Sequence, residues 1–163
     1  MFDITLPGTS DSETIDDPVS RLAFPVLTFC NNGCLNLKFR ARRKDLERTT
    51  TFEVKVGLFR NKLVIDSNGA AFLVDHAEKV RNYGLLWGWT PLLVHRIVVR
   101  LVPAERQPSF SFDEIRRKFF KYFRAYGPIP KETQREIKAA TSVGDLIGIL
   151  EQYGWSGTSM HGW

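Results

Sequence analysis

Side chains that carry chemistry are scarce in this chain: three histidines and two cysteines among 163 residues. So few thiols exclude a disulfide scaffold. A chain of this length buries roughly 68–70% of its unfolded surface and needs no staple to fold. The nearest approach to metal-ligand spacing is Cys30-Asn31-Asn32-Gly33-Cys34. It lacks the further pair of ligands that a structural zinc site requires. Two thiols flanking a hairpin turn could form a redox-sensitive disulfide if their Cβ atoms approached to about 3.8 Å. The expectation adopted here is free thiols acting as small apolar groups.

His76, His95 and His161 belong to no HExxH or similar spacing. Gly69, Gly84 and Gly88 stand apart and fit turns, not a phosphate-cradling loop. Nor is there a G-x-S-x-G nucleophile turn. Asp113 and Glu114 are accounted for by a helix N-terminus, where negative charge offsets the dipole, and Asp66 by similar capping. No catalytic residue, metal or cofactor is therefore expected. An enzymatic reading would require a cleft that gathers His95 or His76 with a carboxylate.

Long apolar runs are missing too. Leu92–Val102 is interrupted by His95, Arg96 and Arg100, well short of the ~18 apolar residues that cross a bilayer. Met1–Pro7 has no basic region followed by an apolar stretch, so a cytoplasmic address and no membrane partner are expected. Positive charge is absent from residues 1–20, which carry Asp3, Asp11, Glu13, Asp16 and Asp17. The other 143 residues hold all 23 Lys and Arg against 13 Asp and Glu, an excess of ten. The chain reads as an acidic flexible leader (1–20), a single basic domain (21–153) and a Gly/Ser/Trp tail (154–163).

What is present is a globular balance of 43% hydrophobic and 25% charged residues, enough apolar material to bury a core. Leu22–Cys30 reads as a strand in which Pro25 marks an edge or a bulge. Asn31-Asn32-Gly33 suits a tight hairpin, followed by a strand with Leu35, Leu37 and Phe39 on one face and Asn36, Lys38 and Arg40 on the other. Arg43–Arg48 reads as a charged connection. Thr50–Phe59 alternates as a strand with Phe52, Val54, Val56 and Leu58 inward, and Leu63–Ile65 as a short strand. A helix is expected over Ala70–Asn82, capped by Asp66–Gly69 with Leu73, Ala77 and Val80 inward. A Trp-rich loop and a strand over Leu93–Val102 follow. Ser111 and Glu114 form a capping box that opens a helix to about Tyr126. Two further helices are expected, one from Pro130 to Ala140 and one capped by Ser142. Early strands and late helices imply an α+β fold: a mostly antiparallel sheet built from hairpins, with the C-terminal helices packed on one face.

The helix opening at Phe112 interleaves rings and bases. At 100° per residue Ile115, Phe119, Tyr122 and Phe123 share one sector, whereas Arg117, Lys118, Lys121 and Arg124 lie opposite. The rings are thus a core stripe and not a base-stacking platform. Arg116 falls on the apolar edge, where it needs a carboxylate or carbonyl partner. A second basic group, Lys38, Arg40, Arg42, Arg43, Lys44 and Arg48, runs along the polar side of a strand into its loop. Leu86, Trp87 and Trp89, with Trp155 in the tail, are candidate contact residues because Trp dominates binding hot spots.

Taken together, these features point to a non-enzymatic protein-binding module: a small inhibitor, adaptor or immunity-type protein that neutralises a partner. The alternative is a nucleic-acid-binding protein that uses Arg40, Arg42, Arg43 and Lys44 with Arg117, Lys121 and Arg124, should strand and helix present them on one side. A basic body argues against a basic partner, because like charges repel on approach.

Overall fold

The computed structural model describes residues 17–31, 35–82 and 96–154. A 3-10 turn, Pro18–Arg21, leads into β1 (Val26–Asn31) and β2 (Leu35–Arg40). Next come α1 (Arg43–Glu47), β3 (Arg48–Thr50) and α2 (Thr51–Lys55). Then β4 (Lys62–Ile65), β5 (Ala71–Asn82) and β6 (Arg96–Pro103) complete one six-stranded sheet in the order β2-β1-β4-β5-β6-β3, every pair antiparallel. After the sheet come α3 (Phe112–Arg124), α4 (Lys131–Ala139) and α5 (Val143–Gln152). The α+β class and the antiparallel sheet are as the sequence implied.

Connectivity forces the sheet to curl. Strands β2 and β3 are opposite edges, yet only residues 41–47 join them. Five inter-strand gaps of about 4.8 Å would separate flat edges by roughly 24 Å. A five-residue helix with its short extended flanks reaches only about 20 Å. The edges therefore bend toward each other, and α1 contacts β2, β3 and β6.

Curling gives the sheet two differently lined faces. Leu27, Phe29, Leu37, Phe39, Leu63 and Ile65 point to the convex side and pack on Ile115, Phe119, Tyr122 and Phe123 of α3 and on the apolar stripes of α4 and α5. Phe29 meets Tyr122 edge-on, ring centroids 5.2 Å apart. The alternate residues Val26, Val64, Phe72, Val74, Ile97, Val99 and Leu101 point to the concave side, where Leu46 of α1, Phe59 and Val19 close a second core.

Several expectations fail, each for a physical reason. Ala70–Asn82 is not a helix but the long strand β5. Leu73, Ala77 and Val80 do recur at helical spacing, but Phe72 and Val74 alternate, and pairing with β4 and β6 decides the outcome. Asp66–Gly69 is accordingly a hairpin turn. Asp66 is buried and accepts from the N–H groups of Asn68 (2.9 Å) and Ala70 (2.8 Å), and Gly69 has φ +86°.

Thr50–Phe59 is not a strand. Pairing stops at Thr50, and a capping box of Thr50 and Glu53 starts α2, leaving Phe52 and Val56 outward. Arg43–Arg48 contains α1, seated by buried Leu46. Pro25 marks neither an edge nor a bulge, because β1 begins just after it and lies inside the sheet. The β6 strand starts at Arg96 among the described residues. The helix from Ser111 ends at Arg124, and the last two helices lie where expected.

Candidate functional site

Leu86, Trp87 and Trp89 fall in segment 83–95, and Trp155 in the tail, outside the described residues; so do Cys34, His95 and His161. The basic residues are described, and the structure does not bring them onto one side. Arg40 is two residues from Lys38 on β2 and pairs with Val26, so both face the concave core. Arg117, Lys121 and Arg124 are exposed on the outer side of α3, across the sheet. Period-2 alternation is the cause: a strand that gives Leu37 and Phe39 to the helices must turn Lys38 and Arg40 away from them. Arg42, Arg43 and Lys44 surround the start of α1. Arg42 Nε lies 3.4 Å from Asp45, and Arg43 is held by Glu47 (2.6 Å) and by Asp17. The Glu47 hydrogen bond, above all, raises the Arg43 pKa.

The concave face carries a charged group that sequence reading only half recognised. Lys38 pairs with Thr28, Thr28 pairs with Val64, and Lys62 is two residues from Val64 on the same side of β4. Lys38, Arg40 and Lys62 thus share one face with Glu53, which α2 places within electrostatic reach of all three. Each cation is partly buried, and desolvation is the first cause lowering its pKa. The Lys62 ammonium lies 4.1 Å from the centroid of the Phe59 ring. Lys62 was legible in principle, because alternation in Lys62–Ile65 puts it with Val64 and not with Leu63.

The α2 helix presents a different surface. Glu53 and Val54 turn inward, whereas Phe52 and Val56, one helical turn apart, are 63% and 49% exposed. Val80, Tyr126 and Tyr153, the other open apolar side chains among the described residues, lie on or beside separate elements, whereas the one-turn spacing of Phe52 and Val56 makes them a small apolar patch. Exposed Arg48, Lys55, Arg60 and Arg96 surround them in chain or register, Arg96 pairing with Thr50 at the helix start. Strand β5 ends and β6 begins at this same end of the sheet, Asn82 pairing with Ile97 and Arg96 with Thr50. The Thr50-x-x-Glu53 spacing was the sequence signal that should have identified α2 as a helix.

Arg116 and His76 make contacts close at hand. Arg116 donates to the carbonyls of Lys138 (2.8 Å) and Ala140 (3.4 Å) and pairs with Asp113 (2.5 Å), the partners its position demanded. His76 lies on the exposed side of β5, its Nδ1 2.7 Å from Asp75 and its Nε2 3.5 Å from Glu78. Among the described residues no group of three or more His, Cys, Asp or Glu could hold a metal ion, and no helix is long and apolar enough to cross a membrane. The chain matches no protein-family model, no curated protein and no solved structure.

Proposed function

We propose that this chain is a non-enzymatic protein-binding module of inhibitor or immunity type, which neutralises a partner protein by docking it on α2. The observation that carries this reading is the outward pair Phe52 and Val56, apolar side chains on a short helix whose capping box and inward Val54 hold it in place. An exposed aromatic on a rigid element is a low-entropy anchor for a partner's pocket. The bases around it favour a partner with an acidic rim, which steers approach and disfavours a basic one. Trp87 and Trp89, in the sequence between β5 and β6, are proposed to add to the same contact, because β6 begins with Arg96 paired to Thr50, where α2 starts. The nucleic-acid alternative receives less support, since Arg40 and the bases of α3 lie on opposite faces and Arg42 and Arg43 already hold carboxylates.

The test is capture by the tagged chain from lysate at low salt and at about 0.5 M salt, followed by reconstitution with the purified captured protein. A one-to-one complex that survives high salt and loses affinity at least about a hundredfold with Phe52→Ser/Val56→Ser supports the reading. A complex indifferent to that pair, or nucleic acid released by salt, overturns it.

A further inference from the structure

We propose that the concave face of the sheet binds a small phosphate-monoester dianion through Lys38, Arg40 and Lys62. The register sets these three side chains on one face of three adjacent strands, β2, β1 and β4, with Thr28 and Val26 of β1 between them. Among the described residues, none of the three cations has a carboxylate within 4 Å, although other arginines nearby do. Glu53 is the acid facing them from α2, and its Oε2 is already engaged by the Thr49 hydroxyl and the Thr50 N–H (3.2 Å). Asp45 answers Arg42.

Asp45 also lies within electrostatic reach of Arg40, but it is paired with Arg42; with that pair set aside, the three cations and Glu53 leave an excess of two positive charges among the described residues of this partly buried surface. Such charges are costly unless something of opposite sign completes them. A dianion matches the excess. A lone carboxylate or one phosphodiester of a nucleic-acid strand leaves half of it unanswered. The guanidinium supplies a planar fork of donors and the two ammonium groups supply point charges, the mixture that phosphate oxygens accept well. Desolvation is the first cause lowering the pKa of all three, which marks the site as partly shielded from water. This site is on the inner side of α2 and does not depend on the outward Phe52 and Val56.

The experiment is calorimetric titration of the full chain with inorganic phosphate and with glycerol phosphate, at constant ionic strength. Acetate and a single-stranded oligonucleotide serve as competitors. The expected result is saturable one-to-one binding of both phosphates, weakened at least about tenfold by Lys62→Met or Lys38→Gln in variants whose Tm shows them folded. Arg117→Gln/Lys121→Gln should change it less than about twofold, since that pair lies across the sheet. Absence of saturation up to about 10 mM phosphate would overturn the proposal. So would equal loss from the α3 pair, or displacement by the oligonucleotide at equal phosphate concentration.

Discussion

Arg116 shows how one side chain can join two helices. Its guanidinium reaches the last carbonyls of α4, groups that a helix leaves without intrahelical donors, and a cation there also opposes the negative end of the dipole. Arg116→Leu keeps the apolar stem but removes these bonds, and should cost about 1–2 kcal/mol in urea denaturation. Arg116→Lys should recover part of that loss. Lys62 behaves in the opposite sense. Burial depresses its pKa, so the unfolded chain binds the proton more tightly than the folded chain. Stability therefore rises with pH from the folded pKa up to the ordinary lysine range, and below that window the desolvation penalty is present in full. Lys62→Met should raise stability near neutral pH by roughly 1 kcal/mol and flatten the alkaline rise, read from denaturation midpoints between pH 7 and about pH 10.5.

At the scale of elements, capping boxes decide where three of the five α-helices among the described residues begin. Thr50 with Glu53, Ser111 with Glu114 and Ser142 with Asp145 each exchange side-chain and backbone hydrogen bonds. The Asp145 carboxylate accepts from Thr141 and Ser142, and these bonds hold its pKa below the usual range. Its contribution is present above the unfolded aspartate pKa and is lost as pH falls through the folded one. The acid limb of a Tm-versus-pH curve should therefore become shallower below about pH 4 in Asp145→Asn, with the plateau at neutral pH lowered. In α2, Thr50→Ala should cost about 1 kcal/mol and weaken partner binding as well, because the cap sets the helix that displays Phe52.

The boxes at Ser111 and Ser142 were legible because each precedes a clear 3.6-residue stripe. Thr50 was missed because Phe52, Val54, Val56 and Leu58 also satisfy a period of two, and five residues are too few to separate the periods. Residues 70–82 were misread the other way. A strand paired on both sides takes its conformation from partners distant in sequence, and Leu73, Ala77 and Val80 happen to recur as on a helix. The β2 alternation was read correctly. That its polar side faces a second core, and not water, followed only from the curl.

For the molecule as a whole, the curled sheet separates two jobs. Its convex face is committed to stability through the packing of α3, α4 and α5. Truncating the fully buried Phe119 at its centre should cost about 3–5 kcal/mol by denaturant titration. Its concave side is closed by short elements, α1 and α2, which carry the charged and exposed apolar side chains that the core does not use. The central claim, that α2 is where a partner protein docks, is tested most directly by amide hydrogen exchange of the chain with and without its captured, purified partner. The account predicts slowed exchange across Thr51–Gly57 in the complex, with α3 unchanged on its outer side. Slowed exchange confined to α3, or none in α2, would contradict it.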